Sequence, residues 1–360
     1  MEFGLIERIR ARVATRDDVV LGIGDDAALL QPPPGAQLAV ATDTLNVGVH
    51  FPPGTAAADI GWKALAVNLS DLAAMGAEPA WCTLSLSLLE PDPSWLDGFL
   101  DGFLDLAARH RIALVGGDTT RGPLSVCVTV HGLVAPGRAL RRDGAVAGDD
   151  IWVSGGLGDA AAALALLQAA DEPVVVACEA GPLLAADPDG GSGRLASLRP
   201  RLDRPTPRVE LGLQLAGMAH AAIDISDGLI ADLGHICQAS RLAADVEVDR
   251  LPCSPARMEL MRLAVTCSTR PISPIPNRRA NSITAGLKHS MWPGMRETPA
   301  FRAASTIRRA SAYDGARGFS TSTAQPASMA HRATSAWRPA GTATMTASRR
   351  SEASIASWLV

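Results

Sequence analysis

KALAVNLSDLAAMGAEPAWCTLSLSLL, residues 63–89, sets two periods back to back and decides the fold class. Its first part belongs to a long, mostly apolar helical pattern over 57–75, opened by Asp59 in the first turn and stopped at Gly76. From 81 to 89 apolar and polar residues alternate, the two-residue period of a strand buried on one face. A helix running straight into such a strand calls for helices layered on a sheet.

Outward from this stretch the same mixture continues. Residues 5–13 carry helical spacing, and 19–23 and 37–42 are expected strands around the turn Pro32-Pro33-Pro34-Gly35. The amphipathic segment 94–110 places Trp95, Phe99, Phe103 and Leu106 at helical intervals, and strands are expected at 112–115 and 124–134. A second unit opens near Gly148, with a strand at 150–153, a helix at 159–168, and a polar loop with Gly and Pro at 187–204. Helix 208–220, strand 221–225, helix 229–240 and strand 244–248 follow. The expected class is α/β, in a mixed α+β form rather than a pure parallel sheet. Domains are expected at 1–147 and 148–255, which 360 residues can furnish with separate cores. With only 4% aromatic residues, those cores must be built mainly of Ala, Leu, Val and Ile.

Beyond Pro255 the texture changes. Of the last 105 residues 25 are Ser or Thr, both apolar periods vanish, and segments such as 320–326 and 338–346 have no composition for a core. Residues 256–360 are expected to lie outside a folded domain. Charge divides at the same place: 18 Lys+Arg against 33 Asp+Glu up to Pro255, and 15 against 4 beyond it. An acidic body points away from nucleic acid and toward bound cations. The apolar stretches 160–167 and 174–178 fall short of the roughly 18 residues a membrane span needs. No basic-then-apolar leader is visible at the N-terminus, so a cytoplasmic protein is expected. Cys82, Cys127, Cys178, Cys237, Cys253 and Cys267 form no CxxC pair and are expected as buried free thiols.

The chemistry is carried by aspartates that follow apolar runs beside small residues: GIGDD (22–26), TDT (42–44), NLSD (68–71), GGDTT (116–120) and DISDG (224–228). Each places a carboxylate at the mouth of a core element. Taken singly, each reads more readily as a turn or a helix cap than as a functional group. Five within about 200 residues, with no rival Cys or His cluster, read as a cation site. Two carboxylates about 4 Å apart repel by roughly 4 kcal/mol at an effective dielectric of about 20, and Mg²⁺ is the hard cation that joins such oxygens to substrate phosphates. Lysine occurs only at Lys63 and Lys288, and no GxxxxGK[ST] loop is present. Any bound phosphate must therefore rely on metal and arginine.

LGIGDDAALL (21–30), ATDTL (41–45), KALAVNLSDLAAMGAEPAW (63–81), GGDTTRGPL (116–124), GRALRRDGA (137–145) and AIDISDGLIADLGHI (222–236) resemble thiamine-monophosphate kinases in order and spacing over nearly all of 1–255. The resemblance implies the two-domain fold of aminoimidazole-ribonucleotide synthetase and its relatives, a homodimer formed through the N-terminal domain, and ATP-dependent conversion of thiamine monophosphate to thiamine diphosphate. It implies Mg²⁺ ligands at Asp26, Ala41 (through its carbonyl), Thr42, Asp43, Asp71, Asp118, Asp224 and Asp227. It implies ATP contacts from Gly117, Asp118, Arg142 and Ser226, a thiamine-phosphate contact from His50, and catalytic roles for Asp43, Asp118 and Arg142. Nucleic acid and membrane are not implied as partners. The alternatives are another enzyme of the superfamily, acting on aminoimidazole or selenophosphate chemistry, and a non-catalytic magnesium-ATP binding protein.

The likeness stops at Pro255. The family continues with a GGDDYEL-like segment that helps hold the thiamine moiety, and nothing like it stands in 256–360. The expectation is an incomplete second domain followed by a frame-shifted segment, with a natural basic tail for RNA or an acidic partner as the competing account. That account lacks interleaved aromatics.

Overall fold

The chain opens with α1 (Glu2–Arg10) and a two-stranded ribbon, β1 (Val19–Leu21) antiparallel to β2 (Leu29–Leu30). The elements β3 (Gln37–Asn46), α2 (Ala57–Ala74), β4 (Glu78–Leu88), α3 (Pro93–Arg109), β5 (Ala113–Arg121) and β6 (Ser125–Val134) follow. This computed structural model describes residues 2–90, 92–171, 190–247, 250–258, 344–347 and 357–359, all within one compact unit formed by 1–269 and 339–360.

The four long strands form a sheet of order β3-β6-β4-β5, with β4 and β5 parallel and the other pairs antiparallel. Val126, Val128 and Val130 of β6 and Leu84, Leu86 and Leu88 of β4 are buried in one cluster with Leu65, Leu69 and Leu72 of α2 and Phe99 and Phe103 of α3. Asp92 caps α3, accepting from the amides of Ser94 at 2.9 Å and Trp95 at 3.1 Å, with Pro93 at the first helical position. The two helices cross closely because glycine stands at the contact. A Cβ on Gly102 would lie 1.8 Å from the Ala58 carbonyl oxygen, and one on Gly61 2.0 Å from that of Phe99.

The structure lengthens several expected elements. The strand expected at 81–89 begins at Glu78; Ala80 and Trp81 are buried because Val19, Ala28 and Leu30 cover the sheet's second face there, and Cys82 is buried in the helix-side core. β3 runs on past Thr42 to Asn46, and β5 past Val115 to Arg121. Asp43 and the glycines of GGDTT are poor strand formers, but pairing with β6 and β4 carries them.

The second sheet is parallel: β7 (Asp150–Val153), β8 (Ala222–Ile223), β9 (Ala243–Asp245), β10 (Thr344–Ala347) and β11 (Ser357–Leu359), in the order β8-β11-β7-β10-β9. Its helices are α4 (Asp159–Asp171), α5 (Gly190–Asp203), α6 (Val209–Leu215) and α7 (Leu229–Ser240). The polar loop expected at 187–204 is therefore replaced by a helix from Gly190, held by Leu198 and Leu202 packing with Ala163 of α4; residues 187–189 lie outside the described residues. The helix expected at 208–220 ends at Leu215, where Ala216 leaves helical geometry. Residues 344–347 and 357–359 depart from the expectation that 256–360 stands outside the fold: they form two of the five strands. Main-chain pairing requires no apolar period, so composition carried no sign of it. Residues 259–343, 348–356 and 360, the apolar run 174–178, Cys178, Val248 and Cys267 lie outside the described residues.

Cys82 is buried, whereas Cys127, Cys237 and Cys253 are half-buried; all four are free thiols. Among the described residues no helix is long and apolar enough to cross a membrane.

Candidate active site

A strand interior, a helix end and a strand end deliver the acidic groups. Asp43 lies on the edge strand β3, Asp71 in the last turn of α2, and Asp224 immediately after β8. The segment around Arg142 stitches these parts together. The Leu140 amide donates to the Met75 carbonyl at 3.0 Å, the Ala222 amide to the Arg141 carbonyl at 3.2 Å, and the Ser240 hydroxyl to the Arg142 carbonyl at 2.9 Å.

The consequence is electrostatic. Burial first, and then the charges of Asp224 and Asp43, push the Asp71 carboxyl up to about 7, against the pull of Arg142. Asp224 is raised by burial and then by Asp232, with Asp43 adding to the rise and Arg142 opposing it. Asp43 is raised by burial, and His50 opposes that shift. Asp43, Asp71 and Asp224 thus share one neighbourhood, with Arg142 acting on Asp71 and Asp224 and His50 on Asp43. Among the described residues no three His, Cys, Asp or Glu groups are grouped to hold a metal ion by themselves. The donor set fits Mg²⁺ in kind: oxygen ligands, and an excess of negative charge that raises their proton affinity.

The other candidates sit as follows. The His50 Nδ1 accepts from the Asn46 amide at 3.0 Å, and the His50 carbonyl accepts from Lys63 Nζ at 2.7 Å. Burial lowers the Lys63 ammonium pKa, and Asp203 partly offsets this. Asp43 pairs across the sheet with Val128, on the face buried by the helices, and Ala41 shares that side. Asp118 pairs with Ser85, which in turn faces Cys127 and Thr44, on the opposite and open face; Thr42, hydroxyl to hydroxyl with Thr129 at 2.9 Å, is on that face too. A bulge sets this parity: Leu114 pairs with Cys82 but Gly116 with Thr83, so one extra residue turns Asp118 away from the face of Asp43. Gly117 has φ +145°, and a Cβ there would fall 1.8 Å from the Leu84 carbonyl. Asp26 is exposed between β1 and β2, its amide donating to Asp25 Oδ1 at 2.9 Å. Ser226 and Asp227 are exposed in the turn before α7.

Two residues of this region were not among the sequence candidates. Asn68 accepts from the Asp43 amide at 3.0 Å and donates to the Ala64 carbonyl at 2.9 Å. Asp232 accepts from the amides of Ser226, Asp227 and Gly228. Both stand inside quoted motifs, Asn68 one helical turn before Asp71 and Asp232 in the first turn after DISDG; that spacing is the signal available.

A profile of the family described as AIR synthase related protein, N-terminal domain, matches residues 24–134. Thiamine-monophosphate kinase of Salmonella typhimurium is 50% identical over 258 residues, 71% of this chain and 74% of the relative. The chain belongs to the thiamine-monophosphate kinase family. A crystal structure of thiamine-monophosphate kinase from Stenotrophomonas maltophilia superposes with a TM-score of 0.63 at 59% identity, covering 75% of this chain and 82% of the other. AaThiL complexed with AMPPCP and TMP gives a TM-score of 0.56 at 32% identity, over 72% and 77% of the two chains. Membership of the thiamine-monophosphate kinase family accounts for the mixed α/β architecture and for the order of its acidic motifs.

Proposed function

We propose that the chain transfers the γ-phosphoryl group of ATP to thiamine monophosphate, forming thiamine diphosphate. The observation that carries this is the proximity of Asp43, Asp71, Asp224 and Arg142 in a chain that is 50% identical to a thiamine-monophosphate kinase over 258 residues. A solved relative binds an ATP analogue together with TMP, which supports the same pair of ligands here.

Asp71, Asp224 and Asp43 would hold one Mg²⁺; Thr42 and Asp118, on the opposite face of the sheet, together with Asp26, Ala41 and Asp227, would serve further ions of the proposed set. Bound there, the ion supplies charge neutralisation and alignment of the phosphates. Arg142 offers a guanidinium fork to phosphate oxygens, Gly117, Asp118 and Ser226 contact the nucleotide, and His50 receives the acceptor phosphate. An oxygen of that phosphate is already anionic near neutral pH, so the protein needs no strong base. Its task is to bring two polyanions into line.

The domains we assign are 1–147 for nucleotide binding and dimerisation and 148–255 for the second part of the site, with 256–360 set apart by composition. A homodimer through the first sheet is supported by its open face and by Leu38 and Val40, which are 50% and 58% exposed on β3. A cytoplasmic setting suits both substrates.

The test is direct: purified full-length protein, ATP and thiamine monophosphate, with MgCl2 or with EDTA. Thiamine diphosphate should accumulate only with the metal. Binding of AMPPCP without any turnover on thiamine monophosphate would overturn the kinase in favour of a non-catalytic nucleotide-binding protein.

A further inference from the structure

Asp232 is 3% exposed, and its oxygen Oδ2 is the common acceptor of three consecutive backbone amides: Ser226 at 3.0 Å, Asp227 at 3.2 Å and Gly228 at 3.0 Å. Successive N–H groups converging on one point form the concavity with which loops bind anions. Here the anion is the chain's own. The turn needs Gly228, at φ +113°, to swing the third amide into line.

An ordinary capping contact would stabilise α7 and do nothing more. This one differs in what it holds and in what its charge reaches. Two of the amides belong to Ser226 and Asp227, whose side chains are exposed two and three residues beyond Asp224. Asp232's charge also acts on Asp224, which in turn acts on Asp71. We infer that Asp232 is a positioning residue for the proposed reaction: its carboxylate fixes the turn 226–228 that presents Ser226 and Asp227 to the metal-nucleotide, and adds its charge to the cluster around Asp224. The inference rests on the kinase reading above.

The experiment compares full-length wild type, Asp232→Ala and Asp232→Asn. The asparagine keeps an acceptor oxygen of similar shape and loses the charge. Hydrogen exchange of the 226–228 amides in metal-free protein should be slow in wild type, fast in Asp232→Ala, and largely restored in Asp232→Asn. Calorimetry with AMPPCP and MgCl2 should show binding weakened about 10- to 100-fold in Asp232→Ala, the range seen when an orienting partner is lost. Asp232→Asn should recover most of that affinity while requiring more MgCl2 for half-saturation. With turnover as readout, KM for ATP should rise in Asp232→Ala while KM for thiamine monophosphate stays within twofold.

Unchanged exchange at 226–228 in Asp232→Ala would overturn the inference, as would lost protection with AMPPCP affinity within twofold of wild type. Should Asp232→Ala fail to fold, Asp232→Asn decides: an unaltered MgCl2 requirement overturns the charge role. A wild type that binds no magnesium-AMPPCP sinks the parent reading and this one with it. Normal wild-type binding with unaffected variants sinks this one only.

Discussion

The backbone amide of Asp43 donates to Oδ1 of Asn68 at 3.0 Å, tying edge strand β3 to the buried face of α2. Asn68 is 0% exposed, and its NH2 group is spent on the Ala64 carbonyl one turn earlier. Asp43 thus takes its position from a helix that also carries Asp71.

Asn68→Ala leaves the Asp43 amide without that acceptor. A buried group so stranded costs about 1–3 kcal/mol, so the urea midpoint should fall with no change in slope. Turnover at saturating substrates should fall as well, because Asp43 loses its anchor. A variant with wild-type midpoint and wild-type kcat would show that the contact fixes nothing.

Asp43→Asn is a different experiment on the same strand. The side chain keeps its size and the Asn68 bond is to the backbone, so folding should survive. Magnesium-dependent turnover should disappear while circular dichroism stays as in wild type. Unchanged activity would remove Asp43 from the site.

Much of this arrangement was legible because the responsible residues repeat. The helix expected at 57–75 ends within one residue of α2, and 229–240 coincides with α7, since apolar residues at helical spacing face a core. The acid-after-apolar pattern found Asp43, Asp71 and Asp224, which the fold gathers. Other features depend on information that no local window holds. The single-residue bulge in β5 decides which face Asp118 takes. Gly190, Gly191, Gly193 and Pro200 argued for a loop, yet Leu198 and Leu202 find Ala163 on another helix and hold α5. Asn68 and Asp232 escaped notice because each serves backbone amides, a role shared by countless asparagines and aspartates of helices.

The Asp71 carboxyl, raised from 3.8 to about 7, makes a prediction about pH. The folded state holds this proton more tightly than the unfolded chain does. The carboxyl is neutral in both states below about pH 4; stability then falls as pH rises from about 4 to about 7, and the loss is complete above that. Asp71→Asn removes a charge that burial and Asp224 disfavour. In EDTA the variant should melt above wild type at pH 8, with the advantage shrinking toward pH 4. Added MgCl2 should stabilise wild type at pH 8 and narrow the gap. A lower melting temperature for the variant at pH 8, or no slope with pH, would contradict the crowding of carboxylates on which the site depends.

The crossing of α2 and α3 can be tested with two alanines on one helix. At Gly102 the new methyl would meet the Ala58 carbonyl oxygen at 1.8 Å, so the backbones must separate. Overpacking of this kind typically costs about 1–3 kcal/mol. At Gly98 the methyl would meet the Ala57 Cβ at 3.4 Å, an ordinary contact. Alanine there should be neutral or stabilising by up to about 1 kcal/mol through helix propensity. Denaturant titration of both variants separates the effects, and equal stability would mean the helices are not in close contact.

The last prediction concerns strands from the unusual C-terminal region. Ile151 of β7 is paired with Ala347 of β10 on one side and Ser357 of β11 on the other. Among the described residues, β8 and β9 join the sheet only through those two strands. A chain truncated after residue 343 therefore leaves both edges of β7 open, together with one edge each of β8 and β9. Open parallel edges without partners admit water and recruit other chains. Hydrogen exchange should accelerate at 150–153, 222–223 and 243–245, with concentration-dependent aggregation, while amides of 126–130 in the first sheet remain protected. Protection at 150–153 equal to that of the full chain would mean that β7 finds its partners elsewhere, and that the C-terminal strands contribute nothing to holding Asp224 beside Asp71.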